Sequence, residues 1–319
     1  MQRLVIIANP TAGAAAGKAA HDRLIAAAQH DLEKSFAVEL WQDTDPAGIS
    51  DLAEKAARDG VLHIVVAGGD GTINSVVNGL MRLRSAPKSS SAQPAPGELT
   101  LGVLPLGTGN VFAFNLGIPR EWRDACRVIR AGHRKKIDVG LATHQNTSRH
   151  FLLMAGIGYD AKVIEDTSLR LKYVLRDFAY VLRTLQNVVL HEGTQVTLRF
   201  PDGRVYANIA WLVMVGNAAS YAWDIRVTAH AELDDGVLDV CLMPFENKLI
   251  SIQQALQVLT GQHIERGIAQ YWQTPGVRVE SDPPVPVQLD GDAWASTPVE
   301  ISLAPGALNV YAPEAVNES

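Results

Sequence analysis

Two glycine-rich stretches carry the residues best suited to chemistry. Gly68-Gly69-Asp70-Gly71-Thr72-Ile73-Asn74 follows the apolar run Ile64–Ala67, and Pro105-Leu106-Gly107-Thr108-Gly109-Asn110 follows Leu99–Leu104. In each, a turn that favours glycine stands between an aliphatic run and a helix-like segment. α/β proteins use this arrangement to bring bare backbone N–H groups up to a phosphate. Gly68, Gly69 and Gly71 can take positive φ and have no Cβ to obstruct an anion. Asp70 cannot itself favour a phosphate; a carboxylate there suits a metal, a ribose or a substrate hydroxyl. Each loop taken alone also reads as a tight strand-to-helix turn that binds nothing.

Four further clusters have polar chemistry. Glu232-Leu233-Asp234-Asp235-Gly236-Val237 sets carboxylates and a glycine at a turn before a strand. It reads as a solvated turn, or as a hard-cation site built from side-chain and carbonyl oxygens. Leu289-Asp290-Gly291-Asp292 reads by itself as a turn. Asn9-Pro10-Thr11-Ala12-Gly13 follows the first strand, where Asn, Thr and backbone N–H groups can hydrogen-bond a nucleotide and Lys18 can add charge. Gly216–Tyr221 ends an apolar strand and could line a cleft.

The elements that must position these residues alternate over the first 140 positions. Strands are expected at Leu4–Ala8, Ala37–Trp41, Ile64–Ala67 and Leu99–Leu104, and helices at Lys18–Ala28, Ile49–Arg58, Ile73–Leu83 and Asp124–Arg130. That order predicts a doubly wound, mostly parallel sheet with its ligand site beyond the C-terminal strand ends, where the glycine loops fall. Ser85–Gly97 is rich in Ser, Ala and Pro and reads as a surface insertion. After residue 140 the pattern changes to short strand-like runs at Phe151–Ala155, Gln195–Phe200, Val205–Val215, Leu238–Met243, Gly276–Glu280, Val285–Leu289 and Val299–Leu303. They predict an antiparallel β-sandwich, interrupted by helices near 168–189 and 248–260. The 168–189 segment is basic and amphipathic. It reads first as a helix packed on a sheet, and otherwise as a helix lying at a membrane surface.

The chain has 319 residues, 47% of them hydrophobic and 19% charged, with a net charge of −6, so a nucleic-acid partner is not expected. Its two cysteines, Cys126 and Cys241, are in no metal-ligand spacing and fit a reducing compartment. The apolar N-terminal stretch runs straight into Asn9-Pro10, so it reads as a buried strand rather than a signal peptide. No apolar run approaches membrane-spanning length. A cytoplasmic protein with at most peripheral membrane association follows.

In order along the chain, Asn-Pro-Thr-Ala-Gly at 9–13, Gly-Gly-Asp-Gly-Thr at 68–72, Pro-Leu-Gly-Thr-Gly-Asn at 105–110, Asp-Asp-Gly at 234–236 and Asp-Gly-Asp at 290–292 resemble the diacylglycerol kinase catalytic-domain family. The likeness is to its soluble bacterial lipid kinases, relatives of the sphingosine kinases. The resemblance implies an α/β nucleotide-binding domain (1–138 with 299–319), a β-rich lipid domain (139–298) and an active site in the cleft between them. Asn9, Thr44, Gly68 through Asn74, Gly107 and Thr108 would surround ATP. Mg²⁺ would lie on Asp235 with the carbonyls of Glu232 and Val237. Asp290 or Asp292 would be the general base, with Asp70 holding metal or substrate. The acceptor would be the hydroxyl of a diacylglycerol-like lipid taken from a membrane surface, and a homodimer is compatible with this reading. Where many relatives have aspartate after the asparagine of the second loop this chain has Val111, as sphingosine-type relatives have a small apolar residue. A sphingoid-base kinase is therefore an alternative. So is an enzyme like the nicotinamide-nucleotide kinases or phosphofructokinases, which share the Gly-Gly-Asp-Gly loop. A non-catalytic lipid or nucleotide sensor would be expected to lack one of the carboxylates.

Overall fold

The computed structural model describes residues 1–11, 18–85, 99–158, 193–220 and 225–314. They form two compact units, residues 1–138 with 306–319 and residues 139–305.

The first unit contains β1 (Gln2–Ala8), α1 (Lys18–Leu32), β2 (Phe36–Gln42), α2 (Pro46–Arg58), β3 (His63–Gly68), α3 (Asp70–Ser85), β4 (Thr100–Pro105), α4 (Val111–Asn115) and α5 (Trp122–Ala131). The strands are parallel in the order β2-β1-β3-β4. Leu4–Ala8 and Ile64–Ala67 are fully buried, which is why they read as continuous apolar runs rather than alternating ones. The chain moves from β1 outward to β2, then back across β1 to β3 and on to β4. Right-handed crossovers therefore put α1 on one face and α2 and α3 on the other. The packing agrees, with α2 against α3 and α1 against α5. Where α2 meets α3 the approach is so close that a Cβ on Gly79 would collide with the Ser50 carbonyl oxygen. Ser50 Oγ also donates across this contact to the Ser75 carbonyl at 2.8 Å.

The strand order reverses direction between β1 and β3. Ligands of open α/β sheets bind at such a switch point, outside the carboxyl ends of the strands. Asn9 follows β1, and Gly69 and Asp70 follow β3.

The second unit is antiparallel. It contains β6 (Thr147–Phe151), β7 (Met154–Gly158), β8 (Thr194–Arg199), β9 (Val205–Gly216), β10 (Leu238–Pro244), α6 (Lys248–Leu259), β11 (Gln270–Thr274), β12 (Gly276–Asp282), β13 (Pro286–Leu289) and β14 (Asp292–Ser296). Two strands, β5 (Arg134–His144) and β15 (Val299–Tyr311), contribute residues to both units. In β15, Val299–Ser302 pair with β12, while Asn309 and Val310 lie parallel to β4. The long β9 organises the sandwich: Val205–Ala210 pair with β8, Leu212–Gly216 with β7, and its other edge with β10. The core is aliphatic and aromatic, with Phe151, Val213, Val240, Leu289 and Ile301 among its buried members. An α/β unit and a β-sandwich unit are thus present, as the sequence pattern predicts.

Several local expectations need correction. Phe151–Ala155 is not one strand, because the chain turns at Leu152-Leu153 between β6 and β7. β5, β6, β11, β14 and the short α4 were not expected. They are polar or brief, so the hydrophobic pattern is weak there. Ala12, Gly13, most of the Ser/Ala/Pro insertion, the 168–189 segment and Tyr221 lie outside the described residues. Among the described residues, no helix is long and apolar enough to cross a membrane.

Candidate active site

The first glycine loop ends β3 and starts α3. The opening N–H groups of a helix have no intrahelical partner and the helix dipole favours an anion there, so the start of the 16-residue α3 is suited to a phosphate. The glycines serve close approach rather than unusual backbone: Gly68, Gly69 and Gly71 are not among the residues with positive φ. A Cβ on Gly68 would meet the Thr72 side chain, and one on Gly69 would lie 3.1 Å from Gly107 Cα. Gly71 faces open space. The two loops thus touch through bare backbone at Gly69 and Gly107, and the contact leaves no room for side chains.

The second loop braces itself through Asn110, a buried residue in left-handed conformation with φ of 54°. Its Oδ1 accepts the Gly107 N–H at 2.9 Å, and its Nδ2 donates to the carbonyls of Pro105 at 3.1 Å and Gly107 at 2.9 Å. Asp70 ties this loop to the first. Its Oδ2 accepts the N–H of Val111 at 3.1 Å and its Oδ1 that of Phe112 at 2.9 Å, capping α4. Both oxygens therefore already serve the backbone, a task not anticipated for Asp70. Sequence spacing gave no sign of it, because the bond crosses 42 positions.

Thr108 and Thr44 are exposed, and Asn9 is half-buried with its Oδ1 accepting from Thr11 N–H at 2.9 Å and Thr11 Oγ1 at 2.7 Å. Thr44 follows β2, where Asp43 Oδ1 accepts its N–H at 2.7 Å. These groups stand with the glycine loops at the C-terminal strand ends of the first unit. Thr72, Ile73 and Asn74 are buried, and the Ile73 N–H is already given to the Gly69 carbonyl at 3.0 Å, so the free amides at this helix start are those of Asp70, Gly71 and Thr72.

In the second unit the acidic pair divides into two different residues. Asp290 and Gly291 form the two-residue turn between β13 and β14, with φ of 49° and 88°. Positive φ at both positions is what a type I′ hairpin turn needs. The Asp290 carboxylate accepts three backbone N–H groups: Leu152 at 2.7 Å, Leu153 at 2.8 Å and Met154 at 3.0 Å. Asp292, the first residue of β14, is 55% exposed and is held through Oδ2 by Arg149 Nη2 at 2.7 Å. Arg149 was not anticipated, since it stands 143 positions away on a strand that the pattern missed.

At the acidic turn, Asp235 Oδ1 accepts the Val237 N–H at 3.1 Å and Gly236 has φ of 78°. One carboxylate with the carbonyls of Glu232 and Val237 is a donor set for a hard cation. Among the described residues no group of three or more His, Cys, Asp or Glu side chains could hold a metal. The nearby Asp239 is fully buried, and burial is the main force raising its pKa. Cys126 and Cys241 are buried thiols, each pushed up to about 12 by desolvation and so unsuited to nucleophilic work.

Comparison with known proteins agrees with this architecture. Residues 3–142 match the model of the diacylglycerol kinase catalytic domain, and residues 154–312 that of the YegS C-terminal NAD kinase beta sandwich-like domain. A Chromohalobacter salexigens protein named "probable lipid kinase YegS-like" is 32% identical over 263 residues, covering 82% of this chain and 80% of that protein. The diacylglycerol kinase of Staphylococcus carnosus is 29% identical over 321 residues, covering 100% of this chain and 97% of that protein. A crystal structure of a diacylglycerol kinase from Bacillus anthracis superposes with a TM-score of 0.75 at 25% identity, covering 98% of each chain. The chain belongs to the diacylglycerol kinase catalytic-domain family. It is an enzyme of the kinase class.

Proposed function

We propose that this chain transfers the γ-phosphoryl group of ATP to the hydroxyl of a diacylglycerol-like lipid. The observation that carries the reading is the pairing of the two glycine loops. Through Gly69 and Gly107 they set the first amides of α3 beside the second loop, at the switch point of the sheet. The names of the relatives, lipid kinase and diacylglycerol kinase, support the acceptor class.

In this reading the loops, with Asn9, Thr44 and Thr108, hold the nucleotide. Positioning and charge stabilisation supply most of the catalysis in such a transfer. The lipid oxygen bonds to the γ-phosphorus as the bond to the departing ADP oxygen breaks, and the hydroxyl proton passes to a carboxylate. Asp292 suits that task better than Asp290, whose two oxygens already take three backbone N–H groups. Asp70, committed to capping α4, acts by holding the loops together. Asp235, with the carbonyls of Glu232 and Val237, would hold Mg²⁺, which when bound would offset phosphate charge.

The lipid would come from a membrane surface. Supporting this, Arg130-Ala131-Gly132-His133-Arg134-Lys135-Lys136 concentrates cations on a chain of net charge −6, and residues 131–136 are exposed. The deciding experiment incubates the chain with γ-labelled ATP and Mg²⁺ against a panel of diacylglycerols, sphingoid bases and nicotinamide nucleotides, with products identified by mass spectrometry. A phosphorylated diacylglycerol is expected. Label on a sphingoid base would move the acceptor to the alternative lipid class. Label only on a nicotinamide nucleotide would overturn the lipid reading.

A further inference from the structure

We infer that Arg149 is a positioning residue for phosphoryl transfer: its guanidinium fixes one oxygen of Asp292 and leaves the other to receive the proton of the acceptor hydroxyl. The inference rests on Asp292 being the proton acceptor. Arg149 lies on β6, paired with Ala142 of β5, and Asp292 opens β14, paired with Leu289 of β13. Two separate hairpins thus deliver the two groups to a 2.7 Å contact between Arg149 Nη2 and Asp292 Oδ2. With side chains 27% and 55% exposed, the pair contributes little to folding. Its effect is on orientation. An aspartate at an exposed strand start can occupy several rotamers, and transfer chemistry is sensitive to misplacement by about 1 Å. Asp290 is less suited than Asp292 to accept the proton, because its carboxylate already takes the N–H groups of Leu152, Leu153 and Met154. The planar guanidinium holds a carboxylate in a defined direction, whereas a lysine ammonium supplies charge without that geometry.

The test measures kcat and both KM values with ATP and either dioctanoylglycerol or sphingosine in mixed micelles, whichever the wild-type chain phosphorylates faster. Arg149→Gln is expected to lower kcat by about tenfold or more with both KM values unchanged, the mark of an interaction expressed in the transition state. Arg149→Lys is expected to fall between. Adding Arg149→Gln to Asp292→Asn is expected to cost nothing further, since residues that act as a unit are not additive. Wild-type kcat in both Arg149 variants overturns the inference. So does a raised KM for ATP, which would make Arg149 a phosphate contact, or a multiplicative loss in the double variant. If Arg149→Gln melts below the assay temperature, Arg149→Lys and its combination with Asp292→Asn decide the matter. Wild-type turnover by Asp292→Asn alone would instead reject Asp292 as the acceptor, a failure of the underlying reading and distinguishable from the others.

Discussion

Phe112 donates its backbone N–H to Asp70 Oδ1 at 2.9 Å, and Val111 donates beside it to Oδ2 at 3.1 Å. One carboxylate at the start of α3 therefore caps α4 and joins the two glycine loops. In Asp70→Asn the amide NH₂ would replace one acceptor and face a backbone donor. A buried donor left unsatisfied costs about 1–3 kcal/mol. The variant should melt several degrees lower, on the order of 2–4 °C per kcal/mol in a chain of this size, and bind ATP more weakly by calorimetry. Unchanged melting and ATP affinity with collapsed kcat would assign Asp70 to the chemistry instead.

Gly71 tests the phosphate site with little risk to the fold. A Cβ there meets nothing within 4 Å, and Gly to Ala within a helix is worth up to about 1 kcal/mol of added stability. Gly71→Ala and Gly71→Val should therefore fold, yet place a side chain among the amides expected to receive phosphate. ATP affinity should drop by about tenfold or more, corresponding to about 1.4 kcal/mol, with the larger effect for valine. Full ATP affinity in Gly71→Val would remove the start of α3 from the nucleotide site.

The two C-terminal carboxylates should separate by experiment. Asp290→Asn keeps the left-handed turn, which asparagine tolerates, but only one acceptor oxygen remains for the three N–H groups of residues 152–154. It should lower thermal stability more than it lowers kcat per folded molecule. Asp292→Asn should leave melting and ATP affinity near wild type and reduce kcat by about 10²–10⁴-fold. The opposite pattern would make Asp290 the proton acceptor.

Much of this architecture could be read from local pattern. The continuous aliphatic runs Leu4–Ala8 and Ile64–Ala67 are strands buried on both faces, and the glycine loops after β3 and β4 follow from strand-loop-helix order. What could not be read depends on long-range pairing. Asp70 with Phe112, Arg149 with Asp292, and Asp290 with Leu152 are contacts across 42, 143 and 138 positions, and nothing local encodes them. Polar strands also escape the hydrophobic signal: Thr147–Phe151 carries Arg149 and Asp292–Ser296 begins with an aspartate. The positive φ of Asp290 and Gly291 was legible as a turn, but the service of that turn to the β6–β7 corner was not.

At the other end of β3, His63 sets a pH limit on stability. It is buried, with its Nδ1 2.7 Å from the Tyr311 hydroxyl and its Nε2 2.8 Å from Gln2 Oε1. A neutral ring with the proton on Nε2 satisfies both partners. Burial first, and then the charge of Arg134, lower its pKa below the ordinary 6.5. The unfolded chain thus binds the proton at higher pH than the folded one, so stability is full above about 6.5 and declines as pH falls below it. Urea melts from pH 7.5 down to 5 should show this decline, with a shallower slope in His63→Gln. Some slope should persist, because burial lowers His263 in the same direction. An identical slope in His63→Gln would remove His63 from the effect.

The basic stretch at the start of β5 is where the membrane reading can be tested among described residues. α5 ends at Gly132, with φ of 78°, and Arg134, Lys135 and Lys136 open β5 in exposed positions. Nearby acids offset part of the charge: Glu314 stands 3.7 Å from His133 and Asp31 3.5 Å from Arg130. Successive strand side chains point to opposite faces, so Lys135 and Lys136 together sample both. A basic residue near an anionic leaflet contributes about 1 kcal/mol, and the attraction is screened beyond about 10 Å at 0.1 M salt. Co-sedimentation with phosphatidylcholine vesicles should strengthen when phosphatidylglycerol is added and weaken as salt rises. Lys135→Glu with Lys136→Glu should reduce binding to the anionic vesicles by roughly tenfold or more at low salt, while kcat on a lipid acceptor in neutral detergent micelles stays unchanged. Equal vesicle binding by wild type and this double variant would mean that the chain meets its lipid through another surface.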